Sequence, residues 1–434
     1  MTESQTGLVR TIGRWSLVAL MVNSILGAGI FGLPSLLAAR LGGYSPLSCL
    51  IAGGGALIIA ACIAEVSSRF AATGGLYLYG RAALGRFAGL LIAWLTWLMR
   101  ITAPAAVANL FVNFLEQFLP FVHGKLWELG VLAVLIGHLA ILNYIGVRTG
   151  TTFSNIFAAM KFGALVLFIG AGLIVLMLHP GLRLPLQFGA TTAHGWFEAL
   201  LLLVFGYGGF EGAVTVGGEA SDPKRDMPFA LLTALAAVCF LWTGVVYVVL
   251  ATLPNAGESV RPLPDAARHF LGGWGATAIG CAALVSTYGM TSANLLHGPR
   301  LTFAFAEQGD FPEIFARIHA KFRTPHVSIM VYAALIFAFA AVGNFRWNAV
   351  LSAVARLVLY VGMAIALLVL RERWGAAPFA LPAGIVFSGA TLLIALVLLS
   401  QMGRGEAIVV GVTASVALMN WFVVREKRAD QFGT

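Results

Sequence analysis

Two short glycine-rich segments carry the residues of this chain whose types and spacing could bind a small solute. The first, residues 24–34, has Gly27, Gly29 and Gly32 within six positions, and the second covers residues 205–212. Glycine is a poor helix former, so each segment predicts a break in an otherwise apolar helix. In hydrocarbon, a break leaves bare N–H and C=O groups that cost several kcal/mol unless a polar group meets them. Two interrupted helices at matching places in two halves are typical of secondary transporters with a midplane site.

Four ionisable side chains lie inside or beside apolar segments of the chain. Burying a charge in such a segment is costly, so these residues are candidates for function. They are Arg100, Lys161, Glu211 and Arg356. Arginine stays charged at any relevant pH, so Arg100 and Arg356 each need an anionic or carbonyl partner. Three interpretations stay open for them: pairing with Glu211, contact with an anionic group of the solute, and gating.

The composition places the chain in a membrane. Of its 434 residues, 59% are hydrophobic and 10% are charged, whereas soluble domains carry about 25% charged residues. The four cysteines lie in apolar runs, which favours packing over disulfides or metal ligands. The net charge of +9 is typical of cytoplasmic loops of a membrane protein, and it does not indicate a nucleic-acid partner. The first 14 residues show no signal-peptide pattern.

Twelve apolar segments are long enough to cross a bilayer, which needs about 20 residues each. They cover residues 13–38, 44–68, 82–114, 126–146, 152–178, 195–218, 229–253, 273–305, 325–343, 347–370, 378–400 and 405–424. With both termini in the cytoplasm, 17 of the 27 lysines and arginines fall inside, seven outside and three within the membrane. This asymmetry predicts a multi-pass protein of the cytoplasmic membrane with both termini cytoplasmic.

The chain is predicted to form one transmembrane domain over residues 1–434. The positions of the breaks suggest an inverted repeat of residues 13–178 and 195–370, with two further helices at 378–424. Two short helices outside the spans are also expected, at 264–271 on the outer side and 306–322 on the inner side.

Four motifs, in this order, resemble those of the amino acid–polyamine–organocation permeases over nearly the whole chain. They are residues 24–34, Glu65 with residues 73–79 and Trp94, residues 205–211 with 218–228, and residues 299–312. The resemblance implies an all-α membrane protein with twelve transmembrane helices. It also implies a five-plus-five inverted repeat of the leucine-transporter type, with helices 1 and 6 broken. The implied function is amino-acid transport by alternating access, through proton symport or exchange.

The predicted substrate site combines both breaks. The freed amides around Gly27, Ala28 and Gly29 suit a carboxylate, because amides at a half-helix N-terminus and the helix dipole favour an anion. The freed carbonyls of Phe205, Gly206 and Tyr207 suit an ammonium group, so one amino acid satisfies both breaks. The resemblance implies that Phe205 covers the substrate. The predicted substrate-binding residues are Ser24, Gly27, Ala28, Gly29, Phe205, Gly206, Tyr207 and Arg356.

Coupling and gating are assigned to a second set of residues. The resemblance implies that Lys161 takes the place of a sodium ion, bridging segments one and eight beside Ser286 and Thr287. Glu211 and Arg100 complete this set, and protons are a candidate coupling ion. Near the inner face, Glu65 and Glu219 are expected to pair with arginines, from the set Arg69, Arg81 and Arg225. No cofactor, metal site or catalytic constellation is predicted, so the chain is expected not to be an enzyme.

Two other functions stay open. A polyamine or amine permease of the same fold would favour acids in the site, whereas here two arginines accompany Glu211. A transport-inactive amino-acid sensor would be expected to carry long cytoplasmic extensions. The residues leave open the amino acid, the choice between symport and exchange, and the oligomeric state.

Overall fold

The computed structural model describes residues 12–70, 75–121, 123–146, 151–214 and 220–432. These residues are almost entirely helical and form no strand beyond an isolated bridge between Ile12 and Ala220. The α-helices are α1 Arg14–Ile25, α2 Leu33–Leu41, α3 Ser45–Ser68, α4 Gly75–Leu84, α5 Arg86–Leu115, α6 Lys125–Ile145, α7 Thr151–Leu178, α8 Ala193–Tyr207, α9 Phe210–Val214, α10 Pro223–Thr252, α11 Pro262–Glu307, α12 His326–Val342, α13 Phe345–Trp374, α14 Gly384–Leu399 and α15 Arg404–Phe432.

The architecture is that of a multi-pass membrane protein. Within the described ranges, eight helical stretches are long and apolar enough to cross a membrane, and α12 and α14 are shorter apolar helices. Because lipid offers backbone groups no hydrogen-bond partners, continuous helices satisfy them internally.

Two apolar helices are interrupted. Between α1 and α2, Leu26 and Gly27 leave helical geometry (ψ 67° and −179°), and a 3-10 turn at Ala28–Phe31 follows. Between α8 and α9, Gly208 is extended (ψ 165°) and Gly209 has a φ of +117°. Both interruptions therefore fall within the glycine-rich segments singled out from the sequence.

Two predicted boundaries differ from the structure. The segment predicted at 82–114 is divided at Gly85, whose φ of +87° ends α4 and lets α5 begin at Arg86. The helix predicted at 306–322 is wrong. The chain leaves α11 after Glu307, turns at Gly309 (φ +71°) and forms only a 3-10 turn at Glu313–Ala316. Residues 264–271 are helical as predicted, and Gly272 kinks α11 directly after them.

Long helices surround the interrupted ones. Helix α13 packs on α5, α8 and α3, while α10 packs on α3 and α1. Helix α11 lies against α5 and against the 3-10 turn of the first break. Side chains from α5 and α13 therefore reach both breaks, and α11 reaches the first.

Candidate functional site

At the first break, one of the three predicted amides lacks an acceptor. The Gly27 amide donates to the Ile25 carbonyl over 2.6 Å, and the Ala28 amide points at the Met290 sulfur at 3.2 Å. No acceptor lies within reach of the Gly29 amide among the described residues. The prediction that all three amides are free is wrong for Gly27, where the chain tightens into a turn, and for Ala28, which has the Met290 sulfur as acceptor.

At the second break, helix α8 continues further than the sequence predicts. The Gly208 amide donates to the Phe205 carbonyl over 3.2 Å, so the expectation of a free Phe205 carbonyl is wrong. Across the described chain, the carbonyls of Gly206 and Tyr207 receive no backbone or side-chain donor. The second break therefore offers two acceptors instead of three.

The two breaks are in direct contact. The Ser24 hydroxyl donates to the Gly209 carbonyl over 2.7 Å. A Cβ at Gly209 would lie 2.3 Å from the Ser24 carbonyl oxygen, and its φ is positive, so glycine is required there on both counts. The Phe205 ring covers the other break, with its Cε1 atom 3.0 Å from where a Cβ of Gly29 would lie.

A buried ion pair adjoins the second break. The Nε atom of Arg356 donates to Oε1 of Glu211 over 3.2 Å, and these residues are 6% and 3% exposed. The same carboxylate accepts the Gly209 amide over 2.7 Å and the hydroxyl of Tyr360. Of the alternatives open for Arg356, the structure therefore contains the pairing with Glu211. The arginine also lies 5.8 Å above the Phe205 ring centroid.

Arg100 is not paired in this way. It makes no ion pair with Glu211, and its buried Nε atom has no hydrogen-bond partner among the residues that the structure describes. One terminal nitrogen lies 3.3 Å from where a Cβ of Gly212 would stand. Of the alternatives open for Arg100, the structure does not contain the pairing with Glu211, because Arg356 and Tyr360 occupy the carboxylate. Among the described residues the Arg100 guanidinium has no anionic partner within ion-pair distance, and it lies beside the second break.

Lys161 contacts the first interrupted helix. Its Nζ atom donates to the carbonyl of Asn23 over 3.0 Å, one residue before Ser24. The predicted bridge to segment eight is absent from the hydrogen bonds of the described residues: Thr287 donates to carbonyls of its own helix, and the buried Ser286 hydroxyl has no partner. The hydrogen bond of Lys161 therefore connects α7 to α1 and not to α11.

An ion cluster connects α2 and α8, one from each interrupted helix, to α13. Glu198 of α8 accepts Arg40 of α2 over 2.5 Å and also pairs with Arg346 of α13. Its side chain is 13% exposed. One carboxylate thus connects α2, α8 and α13, which the sequence reasoning did not anticipate because the three residues are far apart in the chain.

A carboxylate cluster near the C-terminal ends of α3 and α13 is centred on Glu65. Glu65 pairs with Arg69 at 3.5 Å, as expected, and also with Arg371 at 2.5 Å. The Leu381 amide adds a bond of 2.8 Å to the same carboxylate. The predicted partner role of Glu219 lies outside the described residues.

A second cluster surrounds Asp310, which lies just after the end of α11 and is fully buried. Arg81 and Arg86 lie at 3.5 and 3.3 Å, and the Tyr77 hydroxyl donates to its carboxylate. Burial, and then the neighbouring carboxylate of Asp310, raise the pKa of Tyr77 to about 12. Tyr77 therefore stays a neutral donor at physiological pH. Arg14, at the start of α1, pairs with Asp226 at 3.1 Å.

Two residues of the site that were not predicted from the sequence have a spacing that could have indicated them. Ser352 and Tyr360 stand four residues before and after Arg356, on one helix face, and both hydrogen-bond within the Arg356–Glu211 group. Met290 carried no such signal, because an apolar side chain in an apolar helix is usually packing. No cluster of three or more metal-ligating side chains occurs in the part of the chain that the structure describes.

The fold and the site define a class of membrane transporter, with two interrupted helices meeting among buried charges. Comparison of the sequence gives the family. A sequence profile of the amino acid permease family matches residues 12–424, and the chain belongs to this family. Its members are transporters and not enzymes.

Several characterised relatives cover most of the chain. The methylthioribose transporter of Bacillus subtilis is 27% identical over 386 residues, 84% of this chain and 82% of that protein. The serine/threonine exchanger SteT of the same species is 27% identical, with 86% of each chain covered. Its branched-chain amino acid permease BcaP is 24% identical over 99% of this chain and 96% of the permease.

Proposed function

We propose that this chain is a secondary amino-acid transporter of the cytoplasmic membrane that works by alternating access, through proton symport or substrate exchange. The observation that carries the proposal is the contact between the two breaks, sealed by the Ser24–Gly209 bond. A free amide at Gly29 stands on one side and free carbonyls at Gly206 and Tyr207 on the other. An amino acid supplies one acceptor group and one donor group for these.

The substrate would be held as follows. Its carboxylate accepts from the Gly29 amide, its ammonium group donates to the carbonyls of Gly206 and Tyr207, and Phe205 covers it. Ser24, Gly27 and Ala28 shape the turn around the carboxylate. Arg100 adds a positive charge nearby, and Arg356, engaged by Glu211, fixes the second break in place. SteT and BcaP, whose names give amino acids as substrates, support this class of solute.

The proposed topology has twelve transmembrane helices and both termini in the cytoplasm. Residues 13–178 and 195–370 form two inverted repeats of five helices, and 378–424 supplies the last two helices. The interrupted pairs α1–α2 and α8–α9 take equivalent places in the two repeats, which supports this arrangement. The whole chain acts as one domain.

Alternating access would operate through the ion clusters at the two faces. Glu198 holds α2 and α8 to α13 outside, while the Glu65 and Asp310 clusters hold the inner face. Release of one side while the other stays closed would expose the substrate to one compartment at a time. Lys161, bonded to Asn23, would couple this movement to protons through the first break.

The test is uptake by the purified chain in liposomes, with a panel of labelled amino acids, polyamines and methylthioribose, with and without an inward proton gradient. Gradient-driven accumulation of an amino acid would establish symport, and uptake that needs internal amino acid would establish exchange. Transport of methylthioribose alone, the solute named for the first relative above, would replace the amino-acid assignment. Binding without transport would identify a sensor.

A further inference from the structure

An apolar groove runs along the membrane-facing side of the second break. It lies between α3, α8, α13 and α14 and encloses a cavity of about 420 Å³, a volume within the range of about 300–1,000 Å³ that is typical of ligand sites. Ile51 and Gly54 of α3 form its rim, Val204 lies on its α8 side and Ile394 on its α14 side.

The inner wall of the groove is the break itself. Tyr207, the last residue of α8, and Phe210, the first residue of α9, both line the cavity, as does Tyr360. Phe210 stacks on Tyr360 with ring centroids 5.8 Å apart and an angle of 12° between the planes. An occupant of the groove would therefore contact both sides of the Gly208–Gly209 interruption.

The chemistry of the lining selects a hydrocarbon occupant. Its two hydroxyl groups are already committed, since Tyr207 donates to the Cys49 carbonyl over 2.8 Å and Tyr360 donates to Glu211. The other lining side chains are aliphatic or phenyl groups, so a polar solute would lose its hydration without gaining a partner.

The groove opens toward the bilayer. Ile51 at its rim is 47% exposed, and nothing lies within 4 Å of where a Cβ of Gly54 would stand. On α14, Leu393 and Leu396, next to the lining residue Ile394, are 65% and 60% exposed. In a multi-pass membrane protein, apolar side chains exposed in this way face lipid tails.

We propose that this groove is a binding site for one acyl chain of a bilayer phospholipid, lodged against the second break. The site depends on the chain lying in a membrane and not on which solute it transports. Lipid would then contact the same interruption from outside that the substrate contacts from within.

The experiment places the full-length chain in phosphatidylcholine vesicles doped with a phosphatidylcholine that carries a photoreactive diazirine on its acyl chain. After illumination, labelled peptides are mapped. Gly54→Phe is designed to fill the groove, and Gly137→Phe on α6 is the matched control, since nothing lies within 4 Å of either Cβ position.

The expected result is labelling of residues 197–204 in the wild type, reduced several-fold by Gly54→Phe and unchanged by Gly137→Phe. Equal labelling of the wild type and Gly54→Phe, or no labelling of residues 197–204, would overturn the proposal. Protection of this segment in a cross-linked dimer would overturn it in favour of a second copy of the chain. None of these outcomes requires transport, so failure of the amino-acid assignment would be seen separately.

Discussion

The hydroxyl of Ser24 donates to the carbonyl of Gly209 over 2.7 Å, and this single bond joins the two interrupted helices across 185 positions of sequence. The same carbonyl also accepts the Gly212 amide over 3.0 Å, so this carbonyl of the second break has two donors. The Ser24–Gly209 bond fixes the distance between the Gly29 amide and the carbonyls at the end of α8. The geometry of the proposed site therefore depends on the register between the two breaks.

Enlarging Gly29 is expected to abolish substrate binding while the protein still folds. A Cβ there would lie 3.0 Å from the Phe205 ring, so Gly29→Leu fills the space beneath it, and Gly29→Ala should have a weaker effect. The measurement is the Kd of the transported amino acid, with Gly130→Leu on α6 as the control in open space. Unaltered affinity in Gly29→Leu would remove the first break from the site.

Replacing one member of the Arg356–Glu211 pair is expected to destabilise the protein more than replacing both members. Either single variant, Arg356→Gln or Glu211→Gln, leaves a buried charge uncompensated, which costs about 3–5 kcal/mol. The double variant should be more stable than the sum of the single changes predicts. Thermal unfolding of all four proteins measures this.

The control for these single and double variants is the exposed pair Lys125–Glu128, whose side chains are 55% and 28% exposed. The same substitutions there should shift stability by less than about 1 kcal/mol. Strictly additive losses at Arg356 and Glu211 would contradict a direct interaction between them.

Lys161→Met is expected to abolish accumulation driven by a proton gradient. The variant keeps most of the aliphatic volume but removes the donor to the Asn23 carbonyl, which lies next to the first break. We expect gradient-driven uptake to fall at least tenfold, which corresponds to a loss of about 1.4 kcal/mol. Lys125→Met at the membrane surface is the matched control. Full accumulation by Lys161→Met would exclude a coupling role.

Glu198→Gln is expected to open the outer face. Without its carboxylate, Arg40 and Arg346 repel each other and no longer hold α2 and α8 to α13. Labelling of Ser35→Cys, a position 3% exposed on α2, by an impermeant maleimide should rise several-fold in a chain with its native cysteines replaced. Glu128→Gln serves as the control, and no rise in Glu198→Gln would show that the cluster does not close this face.

The Tyr77–Asp310 contact is expected to weaken only at strongly alkaline pH. The pKa of Tyr77 is raised to about 12 in the folded chain, above its ordinary value of about 10. Its stabilising contribution is therefore complete below pH 10 and lost as the pH rises toward 12. Tyr77→Phe should be less stable than the wild type at pH 8, and the difference in thermal unfolding should narrow above pH 10. A stability difference between the two proteins that stays the same above pH 10 would contradict the role of the Tyr77–Asp310 contact.

The two breaks are predictable from the sequence because glycine clusters and apolar runs are local signals. The hydrogen bonds inside them are not, since whether the carbonyl of Phe205 is free depends on a one-turn difference in where α8 ends. Partner choice among buried charges was also out of reach. Glu211 could have paired with Arg100 or Arg356, and the packing of α13 against the second break decides it. The cluster around Glu198 joins residues more than 100 positions apart, and no spacing rule indicates it.

The backbones of Gly209 and Ser24 are in direct contact. A Cβ atom on Gly209 would lie only 2.3 Å from the Ser24 carbonyl oxygen. No side chain lies between the two backbones at this contact, so a tilt of α1 would displace α9 directly. The two interrupted helices would therefore move together. Substitutions around the proposed substrate site could change the solute without altering this backbone contact.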